Sequence, residues 1–434
     1  MLEKLAKQTA IYGISTIIGR FLSYLLTPYY TRVFGQADYG IITDIYALIP
    51  FALVVLTMGM ESGYFRFAAK ADAAGGDVEA AKKRLFSAVW GITSLAAVAF
   101  FVAVAALREP IARAMGEAYV AHPEYVVLVG AIVMFDVASC IPFSRLREQG
   151  RAGRFVTLKM VNIVLQTGLA FAFGAMGLFA TEFGVGWAFV ANLAASVITF
   201  ASILPTTNRT VPKIDWMLLA TVFSYSLPLL VSGVAGTANE FIDRQMIKYL
   251  VPENAMAQLG IYGAITKIAV VMMLFTQMYR LAAEPFFLAN YRKDDFKAMN
   301  AAALKYYIIA SMLIFLGIAL FKDLFALIVG RDFRQGIFIL PVVLGANVLS
   351  GVWLNLSFWY KREERTWLAI AVTFVGLIFT VLCNVALVPK YGYYGAAWAR
   401  LASEAAMVAV SYWLNRRYYP TPYPMARIVE YVAV

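Results

Sequence analysis

The sequence predicts an all-α integral membrane protein of about twelve transmembrane helices plus the start of a thirteenth, arranged as two six-helix lobes in a pseudo-twofold relation. Three observations carry this expectation. Mean hydropathy is +0.71 and only 15% of the 434 residues are charged, which is too apolar for a chain that folds in water. Windows of about 20 apolar residues recur, each long enough as a helix to cross roughly 30 Å of hydrocarbon. Lys and Arg alternate between rich and poor connections.

In chain order the apolar windows place spans at residues 8–30, 41–66, 83–107, 121–143, 155–179 and 184–204, then at 217–238, 258–282, 301–328, 334–359, 367–388 and 393–414. Met1–Lys7 lacks a cleavable-signal pattern, because a full-length apolar run follows without a processing site, and it reads as an amphipathic lead into the first span. Pro205, Pro212 and the polar residues between them argue against a continuous helix, so 205–216 is expected to link an N-terminal lobe, 1–204, to a C-terminal lobe, 217–416. Residues 417–434 begin a further helix that stops too soon to span. Two readings stay open for it: a truncated additional span, or an amphipathic tail on the membrane surface.

Well over half of the 37 Lys and Arg residues fall at the N-terminus and in the even-numbered connections, as at Lys82-Lys83-Arg84, at Arg145, Arg147, Arg151 and Arg154, and at Arg416-Arg417. The positive-inside rule then puts the N-terminus in the cytoplasm. The net charge of +11 is mainly this topology signal and a match to anionic inner-leaflet lipid; basic residues scattered over short connections make a poor nucleic-acid site. Cys140 and Cys383 lie in predicted spans and His122 is the sole histidine, so no disulfide framework, zinc site or haem site is expected and no cofactor is called for. G-x-S-x-G, P-loop and HExxH patterns are absent, which argues against a conventional enzyme.

Two internal echoes support the halves. Trp187-Ala-Phe-Val-Ala-Asn192 resembles Trp398-Ala-Arg-Leu-Ala-Ser403, each after an aromatic-Gly pair and about half the chain apart. Tyr39-Gly40-Ile41 pairs with Tyr262-Gly263-Ala264, each opening the second span of its half. With six spans per half the copies share one orientation, related by an axis along the membrane normal.

A charge at mid-bilayer costs roughly 2.5–3.5 kcal/mol on insertion scales, so intramembrane charges are the informative residues. Arg20, mid-span, is the leading substrate contact, since a guanidinium donates several hydrogen bonds to phosphate oxygens; the alternative is an ion pair with Glu61 or Asp136. Lys267 and Arg280 are further substrate candidates, although their spacing puts them on roughly opposite sides of one helix. Glu61, Asp136, Asp243 and Glu404 are candidates for ion coupling or for structural charge pairing, with Arg400 and Glu404 sharing a helix face. Asn162, Asn192, Asn239, Asn347, Asn355 and Asn384 read chiefly as helix-packing groups.

Thr31-Arg32-Val-Phe-Gly35-Gln-Ala-Asp-Tyr39-Gly40 resembles the R-x-L-G-x-x-x-Y-G signature of the polysaccharide and oligosaccharide flippases of the multidrug/oligosaccharidyl-lipid/polysaccharide (MOP) superfamily, with Phe34 in place of leucine. Thr57-Met-Gly59-Met-Glu61-Ser-Gly63, Tyr225-Ser-Leu-Pro228 with Ile242-Asp243-Arg244, Leu259-Gly-Ile-Tyr262-Gly263 and Tyr391-Gly-Tyr-Tyr394-Gly395 are similar to further segments of that family. The resemblance covers the whole chain, though members usually have fourteen spans. It implies a transporter, not an enzyme, that moves a polyprenyl-pyrophosphate-linked glycan from the cytoplasmic to the outer leaflet by alternating access. O-antigen, lipopolysaccharide or capsule assembly in a bacterial cytoplasmic (inner) membrane is the implied setting, with membrane lipids and glycan-assembly proteins as partners. The energy source stays open between coupling to a proton or sodium gradient and the cargo gradient alone. The alternatives are a lipid II flippase, a cation-coupled small-molecule exporter, an intramembrane glycan-lipid enzyme and a nontransport scaffold.

Overall fold

A computed structural model of the chain describes residues 24–207, 210–290, 295–365 and 367–423. All regular structure among these residues is helical. Among the described residues, nine helices are long and apolar enough to cross a membrane, and the pair Ala255–Ile268 and Val270–Glu284, bent by 49°, makes up to ten. The twelve expected spans differ at two places. The first falls largely outside the described residues, as does Met425–Val434. The last is the helix Tyr393–Tyr418, whose 26 residues suffice to cross, but Arg400, Glu404, Arg416 and Arg417 lower its apolar character.

Local chemistry sets the ends and breaks. Asp77 caps the helix Val78–Ala106 by accepting from the Ala80 N–H at 3.0 Å, relieving one of the orphan donors of the first turn. Met58 and Gly59, both at positive φ, divide Gln36–Thr57 from Met60–Ala74. Glycine suits that bend for a second reason: a Cβ at position 59 would meet the Ser226 carbonyl oxygen at 2.7 Å. Pro341 sits in the first turn of Leu340–Leu356, where its missing N–H costs nothing, whereas Pro50 and Pro228 lie inside helices.

The chain divides into two compact units. Among the described residues, the first comprises 24–26 and Ile45–Thr237; the second comprises Thr27–Asp44 and the residues from Ala238 to Tyr423. Within the expected boundary at 205–216, residues 210–215 are non-helical, but the division falls at Thr237, inside the continuous helix Trp216–Leu250.

In the first unit the Val78–Ala106 helix packs on Glu124–Glu148, which packs in turn on Gly186–Ile203. Tyr64, Phe86, Val89, Trp90, Ile141 and Val222 form its core, and the Trp90 indole donates to the Ala138 carbonyl at 2.9 Å. In the second unit Trp367–Tyr391, Tyr393–Tyr418 and Leu340–Leu356 pack in series over an aromatic core of Phe287, Phe296, Phe358, Trp359 and Tyr419. Outer faces carry exposed Val102, Leu313, Leu320 and Leu382, a surface that suits hydrocarbon and not water.

Candidate functional site: buried polar groups of the two units

In the second unit the stretch resembling the family signature is a clasp. Arg32 donates through Nη2 to the Leu327 carbonyl at 2.7 Å and through Nη1 to those of Ile328 at 3.0 Å and Pro28 at 2.5 Å, so its planar fork gathers the loop after the short helix Lys322–Ala326. Thr31 Oγ1 accepts from the Gly330 N–H at 3.0 Å, Gln36 donates to the Asp332 carbonyl at 2.6 Å, and buried Tyr39 meets Phe333 edge-on. Glycines set the spacing. A Cβ on Gly40 would lie 2.0 Å from the Met256 carbonyl oxygen, and one on Gly260 would lie 2.0 Å from that of Gln36. The two Tyr-Gly echoes therefore sit on elements that touch one another, with Gly263 against Thr43.

Beyond the clasp, three polar groupings run through this unit. Lys248 Nζ lies 2.5 Å from Asp44 Oδ2, and Gln245 Nε2 donates to Asp44 Oδ1 at 2.6 Å. Asp243, 3% exposed, accepts from Asn384 Nδ2 at 3.0 Å; Thr380 one turn earlier donates toward Asn239 Oδ1 and Ser403 Oγ, both at 2.9 Å. At the 49° bend, Asn347 Nδ2 donates to the Ala269 carbonyl at 3.2 Å and Asn347 Oδ1 accepts from Arg400 at 3.3 Å. A side chain bonding to the helix ladder is an ordinary cause of a kink, and this one adjoins Lys267 in the last turn of Ala255–Ile268.

The sequence candidates fall out as follows. Arg20 lies outside the described residues. Half-buried Lys267 is beside the bend, while Arg280 is exposed on the next segment and pairs with Glu284 at 3.4 Å, which Lys361 also contacts, so the two cations are not brought together. Asp243 is in the asparagine-threonine grouping. Glu404 is half-buried on the same helix as Arg400, near enough to Tyr307 to act on it electrostatically. In the first unit Glu61 pairs with Arg147 and accepts from the Cys140 thiol at 3.8 Å, so Arg147 is one partner of Glu61 that sequence did not name. Asp136 is half-buried, with Ser196 and Lys159 as polar neighbours. Arg66 lies 4.0 Å over the Tyr225 ring.

Sequence reasoning missed Asp44 and Lys248. The signal available was an aspartate one turn beyond the Tyr39-Gly40 pair, inside an apolar helix. Nothing marked Lys248, which lies past the apolar window of its helix.

These groups are strung along apolar helices, the arrangement of a multispanning membrane protein. The chain has a TM-score of 0.75 to an inward-facing multidrug resistance MATE family transporter of the MOP superfamily, at 16% identity over 96% of each chain. To the lipid II flippase MurJ in an inward closed conformation the TM-score is 0.79, at 14% identity over 97% of this chain and 90% of that one. Among curated proteins, the probable low-salt glycan biosynthesis flippase Agl15 of Haloferax volcanii is 22% identical over 406 residues, covering 92% of this chain and 81% of the relative. Residues 5–288 match the family model described as polysaccharide biosynthesis protein. The chain belongs to that family.

Proposed function

We propose that the protein flips a polyprenyl-pyrophosphate-linked oligosaccharide from the cytoplasmic to the outer leaflet by alternating access, leaving the cargo chemically unchanged. The observation that carries this reading is family membership over residues 5–288, joined by likeness along 92% of the chain to a relative named as a glycan flippase. Intramembrane cations are the chemical counterpart: Arg20 and Lys267 are assigned to the pyrophosphate, while Arg280, exposed and paired with Glu284, is the weaker third. The setting we assign is a cytoplasmic membrane with the N-terminus in the cytoplasm, serving O-antigen, lipopolysaccharide or capsule assembly.

Asp243 with Asn384, Thr380 and Ser403 offers buried oxygen donors in one place, and we assign to it coupling to a proton or sodium gradient. A membrane potential of 100 mV supplies about 2.3 kcal/mol per elementary charge moved, enough to bias a two-state transporter.

The test is leaflet-resolved movement of lipid-linked oligosaccharide in proteoliposomes, with lipid II and a cationic drug as competing cargoes. Movement of the oligosaccharide, abolished in Arg20→Ala at unchanged folded yield, supports the reading. Movement of lipid II or drug alone overturns it, and indifference of Asp243→Asn to both ion gradients overturns the coupling assignment.

A further inference from the structure

Where the helix Val78–Ala106 begins, residues 210–215 run as a strap across it. Ser87 ties the strap down: its hydroxyl donates to the Val211 carbonyl at 2.6 Å and accepts from the Lys213 N–H at 2.9 Å. The Gly91 surface lies beneath, since a Cβ there would come 3.4 Å from the Lys213 backbone. Helix and strap flank an open groove of about 760 Å³ lined by Lys83, Arg84, Ser87, Lys213, Asp215 and Trp216, among others.

The charge in this groove is not balanced. Arg84 is matched by Asp215, to which its Nε donates at 2.6 Å. Lys83 and Lys213 are both exposed, and neither ammonium has an ion pair or hydrogen bond among the described residues, which leaves two positive charges without a counterion. Beside them stands exposed apolar surface: Val211 at 65%, Trp216 at 69% and Met217 at 84%. Trp216 opens a candidate span, and a tryptophan at a span end marks the depth of the lipid headgroups. Cations at headgroup level with an apolar skirt next to them match an amphiphile, not a soluble ion.

We propose that this groove binds the headgroup of an anionic phospholipid, with Lys83 and Lys213 on the phosphate and Val211, Trp216 and Met217 along the glycerol and upper acyl chain. A free phosphate ester satisfies the lysines but leaves the apolar skirt bare, which selects the lipid. The site is distinct from the cargo contacts assigned above, since neither Arg20, Lys267 nor Arg280 is among the residues that line the groove.

The experiment uses the full chain in detergent micelles, following bound lipid by native mass spectrometry and thermal unfolding during titration with phosphatidylglycerol, phosphatidylcholine or glycerol 3-phosphate. Phosphatidylglycerol is expected to be retained and to raise the unfolding midpoint, whereas the other two leave it unchanged. Lys83→Gln with Lys213→Gln should weaken phosphatidylglycerol binding by about tenfold to thirtyfold, the worth of two interfacial lysines, while the control pair Lys70→Gln with Lys390→Gln should not. Trp216→Ala, which keeps every charge, should also weaken binding and guards against misfolding of the lysine variant. Equal stabilisation by glycerol 3-phosphate or phosphatidylcholine overturns the proposal, as does equal loss in the control pair or unchanged binding in both site variants.

Discussion

Lys248 and Asp44 form an ion pair with side-chain exposures of only 4% and 2%, joining the polar end of the Trp216–Leu250 helix to the start of Gln36–Thr57 within the second unit. Such a pair gains little net stability over an apolar substitute, because removing both ions from water is expensive, but losing one partner strands the other. Asp44→Ala is therefore expected to destabilise by roughly 3 kcal/mol, and Asp44→Leu with Lys248→Met by much less. Thermal unfolding in micelles checks this. A double variant as unstable as the single would show that the residues matter separately and not as a pair.

The glycine contacts make a sharper prediction because they are steric. Gly40→Ala and Gly260→Ala each put a methyl 2.0 Å from a backbone oxygen, where no flexible side chain can move aside. Both should lose most folded yield, consistent with overpacking costs of about 1–3 kcal/mol or more where backbone must shift. Gly168→Ala, a helical position with nothing within 4 Å, should be neutral or slightly stabilising. Yield of monodisperse protein by fluorescence-detected size exclusion separates the outcomes.

The helices and the signature were legible in the sequence, since hydropathy reports burial in lipid directly and Gly40, Tyr39 and Arg32 are residue types with few substitutes at a close crossing. The role of the signature was not legible. Arg32 and Gln36 bond to carbonyls of Leu327, Ile328 and Asp332, nearly 300 residues away, and no local pattern names such a partner. For the same reason residues 27–44 were expected in the N-terminal lobe yet cluster with the second unit. The candidate charges were found as residue types, but their pairings depend on helix rotation, so Glu61 with Arg147 and Asp44 with Lys248 had to be seen. Hydropathy also hid the Trp216–Leu250 helix beyond residue 239, where its composition turns polar while the helix continues.

The bend at Ala269 links a backbone group to two side chains, and removing the middle one tests its purpose. Asn347→Leu leaves the Ala269 carbonyl without its amide donor and Arg400 without the Asn347 oxygen, at a cost of about 1–3 kcal/mol. If the bend serves the transport cycle, flipping should fall by tenfold or more while most of the protein remains folded, and amide exchange around residues 265–272 should quicken. Loss of fold in step with loss of flux would make Asn347 a packing residue.

Asp215 gives a pH dependence whose sign is fixed by its surroundings. The Leu218 N–H donates to its carboxylate at 3.2 Å, and together with Arg84 this holds the carboxyl below the usual aspartate range. A carboxyl depressed in the folded state contributes stability that is fully present above the unfolded value, near 3.9, and is lost as pH falls through the folded value. The expected signature is thus a flat unfolding midpoint from neutral pH down to about 4 and a decline below it. Asp215→Asn should start lower and show a shallower decline, because its amide cannot titrate and binds Arg84 less well. An identical acid slope in the variant would assign the decline to other carboxylates and reduce the Asp215 contact to a neutral helix cap.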